Sequence, residues 1–174
     1  MNYNIKFDNQ VVVLRLIQKG GNIKMEYIGE KIEGKEYKER KTVYGLISNN
    51  DGNIAIVIEH KDMYNMIGGK IEEGENAEEA LIREAKDEIG CELKNIKYLN
   101  NLGCYHYLDF LDKYELAIMD FYSANIGEKI CEPVEKNIEL VWAKPEDVVD
   151  KMYFKYHRHF LERYLEKNKD DIER

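Results

Sequence analysis

The stretch that decides the fold runs from Gly69 to Cys91 and reads GKIEEGENAEEALIREAKDEIGC. Its second part predicts a helix over Asn76 to Ile89. Asn76 suits the N-cap position, and Glu79 three residues later completes a capping box. Gly90 follows the last turn as a C-cap in the left-handed region. One face of this helix, which we expect to meet the core, carries Ile82, Ala85 and Ile89.

A second face of the helix carries three carboxylates. Glu84, Asp87 and Glu88 stand at i, i+3 and i+4, so they are neighbours on the helix surface. Like charges at this spacing cost roughly 0.2–0.5 kcal/mol per pair. A solvated acidic face is the ordinary interpretation of such a pattern. A bound cation is the alternative, and clustered carboxylate oxygens suit Mg2+ or Mn2+.

The loop before the helix favours a ligand-binding site over a solvated acidic face. Gly68 and Gly69 are adjacent, and Gly74 lies just upstream of the capped helix. Glycines let backbone groups approach a ligand closely, and the helix N-terminus attracts anions. The glycine spacing alone is weak, because ordinary turns also use glycine.

Loop and helix together resemble the Nudix box, G-x5-E-x7-R-E-U-x-E-E-x-G-U, where U is apolar. The spacing matches throughout Gly69 to Cys91. Three positions depart from the common pattern: Asp87 replaces a glutamate, Cys91 fills the last apolar position, and Ile67 stands where many members have proline. The resemblance implies an α/β protein, a single-domain Nudix-type α/β/α sandwich with a mixed sheet.

The resemblance also implies a metal site. Glu84 and Glu88 are expected to be the principal ligands of Mg2+, with Mn2+ as a substitute. Asp87 completes the carboxylate set, directly or through water, and Gly69 contributes its backbone carbonyl. The number of metal ions stays open.

Further roles follow from the same resemblance. Arg83 is expected to pair with Glu75 and to brace the loop against the helix, and Lys70 is a candidate for contacting a substrate phosphate. Many relatives take their general base from a later loop. Glu135 and Glu139 occupy that region here, and Glu139 is slightly favoured.

The implied activity is Mg2+-dependent hydrolysis of a diphosphate linkage in a nucleoside diphosphate-X substrate. The favoured substrate is a nucleoside triphosphate, intact or oxidised. ADP-ribose and dinucleoside polyphosphates are alternatives. Hydrolases of dinucleoside polyphosphates often carry a tyrosine beyond the box, and Tyr107 lies close to that place. A non-catalytic nucleotide-sensing domain and an isoprenoid diphosphate isomerase are further alternatives. Retention of the box carboxylates disfavours the sensor, and no companion cysteine motif supports the isomerase.

The remaining chain predicts strands with helices between them. An N-terminal segment, residues 1–41, is expected to add a hairpin that packs on a Nudix domain formed by residues 42–174. The predicted strands are 11–17, 23–28, 42–48, 54–59, 96–100, 104–108, 114–124 and 138–143. Pro145 is expected to open a short helix, and His157 to Lys167 to form the last one.

Composition limits the partners. The net charge of −8 disfavours binding of bulk nucleic acid, although a bound cation still permits a small phosphate substrate. Three cysteines without metal-ligand spacing indicate reduced thiols. No apolar run is long enough to span a membrane, and the N-terminus lacks the apolar core of a signal peptide. A cytoplasmic monomer or homodimer that binds a small nucleotide is therefore expected.

Overall fold

The computed structural model describes residues 25–172, except the side chains at 110 and 169–172. The predicted strand over residues 11–17, and most of the predicted N-terminal hairpin, lie outside the described residues. The strands are β1 Glu26–Ile28, β2 Lys38–Ser48, β3 Ile54–Glu59, β4 Met63–Lys70, β5 Cys91–Leu108, β6 Lys113–Lys129 and β7 Ile138–Ala143. The α-helices are α1 Ala77–Ile89, α2 Pro145–Val148 and α3 Lys155–Ile172.

The chain forms two compact units, which are described separately. The first contains residues up to Arg40 together with Leu102–Ile118, and the second contains Lys41–Asn101 and Met119–Arg174. The extension predicted for residues 1–41 thus shares its unit with a later segment of the chain. The proposed domain boundary at residue 41 stays a prediction.

In the first unit, β1 pairs in parallel with the second half of β5, with Tyr27 opposite Gly103. A Cβ atom on Gly103 would lie 2.4 Å from the Tyr27 ring, so only glycine leaves room for that ring. Tyr37 packs edge-to-face on Tyr105, with ring centroids 5.0 Å apart. Aromatic packing of this kind gives the unit a small core of its own.

The second unit is a sheet between helices, with strand order β5-β6-β2-β4-β3-β7. Inward residues of β2, β3 and β4 pack against Ala85 and Ile89 of α1. On the opposite face, Phe160 of α3 stacks on Phe121 of β6 at 4.1 Å between centroids. Antiparallel pairs here and the parallel pair β1–β5 make the strand pairing mixed. The predicted α/β class with helices on both sheet faces is confirmed.

Strand β4 was not predicted from the sequence. It pairs with β2 and with β3, which places it in the interior of the sheet. Its sequence, MYNMIGGK, contains Asn65 and two glycines, which are depleted in strands. Tertiary pairing overrides that weak propensity. The strands predicted at 96–100 and 104–108 form one continuous strand, β5.

Within residues 25–172, no helix combines the length and the apolar character that a membrane span requires.

Candidate active site

Helix α1 begins and ends where the sequence predicts. The Asn76 side chain accepts a hydrogen bond from the Glu79 backbone N–H at 3.0 Å, and the Glu79 carboxylate accepts one from the Asn76 N–H at 2.9 Å. Gly90 closes the helix with φ 70°, in the left-handed region. These two caps fix the register of α1, and with it the direction of each box side chain.

The buried side of α1 differs from the prediction. Ile82 was expected in the core, but it is 44% exposed. The prediction is confirmed for Ala85 and Ile89, which are buried, but Leu81 takes the place of Ile82, and Glu88 joins them at 7% exposed. Positions 81, 85 and 88 follow one another at i, i+4 and i+7, so they form one stripe. The prediction for Ile82 was wrong because the helix is rotated to bring Glu88 against the sheet.

The two glycines at the end of β4 allow the box helix to approach closely. Gly68 has φ 137°, and a Cβ there would lie 2.1 Å from the Val43 carbonyl oxygen. A Cβ on Gly69 would lie 2.6 Å from Glu84 Oε1. The space above Gly69 is therefore filled by the Glu84 carboxylate, which any larger residue would displace.

Arg83 braces the loop against the helix. Its Nε and Nη2 donate to the two carboxylate oxygens of Glu75 at 2.6 and 3.1 Å, a bidentate pair. Nη1 donates to Glu84 Oε1 at 2.9 Å, and Nη2 also donates to the Lys70 carbonyl at 3.0 Å. The hydrogen bond from Arg83 lowers the pKa of Glu75, and that same bond raises the pKa of Arg83. The predicted Arg83–Glu75 pair is present.

The carboxylate of Glu88 is buried. The Gly68 backbone N–H donates to its Oε2 at 3.2 Å. Burial raises the pKa of Glu88 well above its usual range, and the charge of Glu84 raises it further. Charges on Glu135 and Glu59 act in the same direction. A buried carboxylate among like charges gains a large benefit from a cation.

Glu84 lies at the edge of the same site, with its side chain 13% exposed. Burial raises the pKa of Glu84, and the hydrogen bond and charge of Arg83 partly offset that rise. Asp87, the third box carboxylate, is half-buried. Its backbone carbonyl accepts hydrogen bonds from the N–H groups of Val134 and Glu135, at 2.9 and 3.2 Å.

The donor set fits a hard divalent cation. Glu84, Asp87 and Glu88 offer carboxylate oxygens along one side of α1, and the backbone at Gly69 approaches Glu84 closely. Within the described part of the chain, no three Asp, Glu, His or Cys side chains already converge on one point. Arg83 donates a hydrogen bond to Glu84, and the Gly68 N–H donates one to Glu88. Mg2+ tolerates this, because it keeps several waters and commonly uses one or two carboxylates together with substrate phosphates.

The two candidates for the general base lie on different sides of the sheet. Glu135 follows a segment that is hydrogen bonded to the end of α1, and its charge raises the pKa of both Glu84 and Glu88. Glu139, favoured from the sequence, sits in β7 opposite Ile58. Its strand neighbours Ile138 and Leu140 pack against the cluster that contains Ala85 and Ile89 of α1.

Because side chains alternate along a strand, Glu139 faces away from α1. The structure therefore does not bring Glu139 to the box carboxylates. A one-residue step along β7 reverses the side-chain direction, and the sequence alone could not supply that register.

The predicted substrate contacts lie in different units. Lys70 ends β4 and pairs with Glu72, Nζ to Oε2, at 3.1 Å on the surface. Tyr107 belongs to the first unit, where its hydroxyl donates to Asp112. That hydrogen bond raises the pKa of Tyr107 to about 12. Contact of Lys70 or Tyr107 with a substrate stays a prediction.

Comparison with known proteins identifies the class. The chain belongs to the NUDIX domain family, whose model matches residues 38–164. A Bacillus subtilis (strain 168) protein, provisionally named 8-oxo-dGTP diphosphatase YtkD, is 40% identical over 72 residues. That match covers 41% of this chain and 42% of the relative, so it spans less than half of either.

Solved structures share the fold. A NUDIX hydrolase from Nitrosomonas europaea is 16% identical with a TM-score of 0.61, covering 75% of this chain and 90% of that one. A mutant of the Bacillus subtilis pyrophosphohydrolase BsRppH is 26% identical with a TM-score of 0.57, covering 76% of this chain and 82% of that one. The Nudix-type fold predicted from the box is confirmed.

Proposed function

We propose that this chain is a Mg2+-dependent hydrolase that cleaves a diphosphate linkage in a nucleotide, with a nucleoside triphosphate, intact or oxidised, as the favoured substrate. One observation carries the proposal: Glu88 is buried beside Glu84, at the point where β4 ends in Gly68 and Gly69. Burial of a charged carboxylate next to a second one is costly unless a cation compensates it. The relative named as an 8-oxo-dGTP diphosphatase supports this choice of substrate.

The side chains of the box would have different roles in the reaction. Glu84 and Glu88, with Asp87 at the rim, would hold Mg2+, and Mn2+ would substitute. When bound, the cation neutralises the diphosphate and lowers the pKa of the attacking water. Arg83 would hold the loop through its bidentate contact with Glu75 and Glu84 through the hydrogen bond from Nη1. Cleavage of a nucleoside triphosphate would give a nucleoside monophosphate and pyrophosphate.

We assign the general base to Glu135 rather than Glu139. Glu135 is exposed, yet its charge reaches both box carboxylates, so it can accept a proton close to the cation. The test compares Glu135→Gln with Glu139→Gln. We expect kcat to fall at least about tenfold in the first and to stay within about twofold in the second. Loss of activity in Glu139→Gln alone would reverse the assignment.

A substrate panel tests the proposed activity. Purified chain with Mg2+ would be offered nucleoside triphosphates, their 8-oxo forms, ADP-ribose and a dinucleoside polyphosphate, with products separated by ion-exchange chromatography. We expect a nucleoside monophosphate and pyrophosphate from a triphosphate, and little turnover by Glu88→Gln. Exclusive cleavage of ADP-ribose or a dinucleoside polyphosphate would overturn the substrate. Absence of turnover across the panel would overturn the activity and favour a nucleotide-sensing domain.

A cytoplasmic location and a monomeric or homodimeric state are further parts of the proposal. They rest on the composition of the chain and on a small nucleotide as the partner.

A further inference from the structure

Two cysteines meet at the C-terminal end of the box helix. Cys91 directly follows Gly90, the C-cap of α1. The backbone N–H of Cys131 donates to the Gly90 carbonyl oxygen at 3.2 Å, and a Cβ on Gly90 would lie 2.2 Å from the Cys131 carbonyl oxygen. With standard bond lengths, this contact keeps the Cα atoms of Cys91 and Cys131 within about 7 Å. Disulfides usually join Cα atoms about 4.4–6.8 Å apart, so the backbone permits one here.

Both thiols lie against the same helix end. Cys91 Sγ donates to the Ile89 carbonyl oxygen at 3.5 Å, and Cys131 Sγ donates to the Lys86 carbonyl oxygen at 3.8 Å. The two carbonyls are three residues apart, which is about 4.5 Å along the axis of α1. A thiol is a weak hydrogen-bond donor, so either side chain can leave its carbonyl and turn towards the other. Both cysteines are partly exposed, whereas Cys104 is buried.

The segment after β6, residues 130–135, is attached to this helix end. Besides the contact at Cys131, the N–H groups of Val134 and Glu135 donate to the Asp87 carbonyl oxygen. A covalent link at Cys131 would therefore fasten the segment that carries Glu135 to the end of α1.

We propose that Cys91 and Cys131 form an oxidation site, which closes to an intrachain disulfide and fastens segment 130–135 to α1. The oxidant is a low-molecular-weight disulfide such as oxidised glutathione. This inference goes beyond the proposed hydrolysis and depends neither on the metal nor on the substrate. In a reducing compartment such a disulfide is transient, as is usual for redox-sensing pairs.

The two thiols have different roles in the exchange. Burial raises the pKa of the Cys91 thiol, and the charge of Lys129 offsets that rise in part. Because the thiolate is the nucleophile, Cys131 attacks oxidised glutathione first, its S–S bond breaks and one glutathione leaves as a thiolate. The Cys91 thiolate then attacks the Cys131 sulfur and releases the second glutathione. The protein dithiol is oxidised, and the two protons end on the two reduced glutathione molecules.

The test is equilibration of the folded protein in glutathione redox buffers, followed by acid quenching, alkylation of free thiols, tryptic digestion and mass spectrometry. Trypsin separates the three cysteines into peptides 87–94, 98–113 and 130–136. We expect peptide 87–94 linked to peptide 130–136, with Cys104 alkylated. Reduction with dithiothreitol should release both peptides.

The equilibrium constant for closing the disulfide gives the effective concentration of one thiol at the other. We expect it to be at least about tenfold larger in native buffer than in urea that unfolds the chain, because the fold holds the two segments together. Cys91→Ser and Cys131→Ser should each abolish the linked peptide. Cys104→Ala is the matched control and should keep the constant within about twofold of the wild type, with circular dichroism checking that each variant is folded.

Three outcomes would overturn the inference. The first is an equilibrium constant in native buffer that does not exceed the value in urea. The second is a link from peptide 98–113 in place of one of the other two. The third is a chain that ends as mixed disulfides with glutathione and forms no intrachain link.

Discussion

Glu88→Gln is expected to make the metal-free protein more stable near neutral pH. Glu88 is 7% exposed, and one backbone hydrogen bond, from Gly68, reaches its carboxylate at 3.2 Å. Glutamine has nearly the same shape and keeps an oxygen for that bond, but it carries no charge next to Glu84. Removal of a buried charge that is not fully compensated should raise the free energy of unfolding by about 1–3 kcal/mol.

The sign of the pH dependence follows from the raised pKa of Glu88. A carboxyl group whose folded pKa lies above its unfolded value, about 4.3, contributes stability below that value. This contribution is lost as the pH rises through the folded pKa. The two proteins should therefore differ little near pH 4, and the advantage of Glu88→Gln should grow as the pH rises above the unfolded pKa of about 4.3.

Urea unfolding in EDTA, followed by circular dichroism at several pH values, measures this difference. Glu128→Gln, at an exposed position late in β6, serves as the control and should change stability by less than about 0.5 kcal/mol. If Glu88→Gln is as stable as the wild type or less stable at about pH 8, the interpretation of Glu88 as a buried, uncompensated charge is refuted.

Three further substitutions test other parts of the site. Gly69→Ala places a Cβ 2.6 Å from Glu84 Oε1. The displaced carboxylate should lower the rate of hydrolysis at least about tenfold. The free energy of unfolding in urea should change by less than about 1 kcal/mol, because the end of the flexible Glu84 side chain can move. An unchanged rate would contradict the close packing inferred there. Arg83→Lys loses the bidentate contact with Glu75; the side chains of Arg83 and Glu75 are 33% and 21% exposed. The substitution should lower the free energy of unfolding by about 1 kcal/mol, and by less at high salt. A salt-independent loss would indicate lost packing instead. Asn76→Ala removes the N-cap of α1 and should destabilise the protein by about 1 kcal/mol, whereas Asn76→Asp should not. Equal stability of the wild type, Asn76→Ala and Asn76→Asp would contradict the capping box.

The box helix could be predicted from sequence because its determinants are local. The capping box of Asn76 and Glu79 and the left-handed Gly90 use residues within one turn of each helix end, and the structure confirms both ends. The bounds of β3 and β7 and the start of α2 at Pro145 were predicted correctly as well. Each of these elements carries a strong local pattern, either β-branched and apolar residues or a proline in the first turn.

What the sequence could not supply depends on partners distant along the chain. Strand β4 exists because β2 and β3 pair with its two edges, although its own residues disfavour a strand. Burial of Glu88 in place of Ile82 depends on how α1 is rotated against the sheet. The direction of Glu139 depends on the register of β7 with β3.

The dependence of hydrolysis on Mg2+ tests the central claim most directly. Initial rates on the best nucleoside triphosphate would be measured from EDTA alone to millimolar Mg2+, for the wild type and for Glu84→Gln. The wild-type rate should vanish in EDTA and rise to saturation with Mg2+. Glu84→Gln should remain at least about a hundredfold slower at every concentration, because it lacks a carboxylate that holds the cation. Full activity in EDTA, or a wild-type rate in Glu84→Gln, would contradict a metal site built on the box helix.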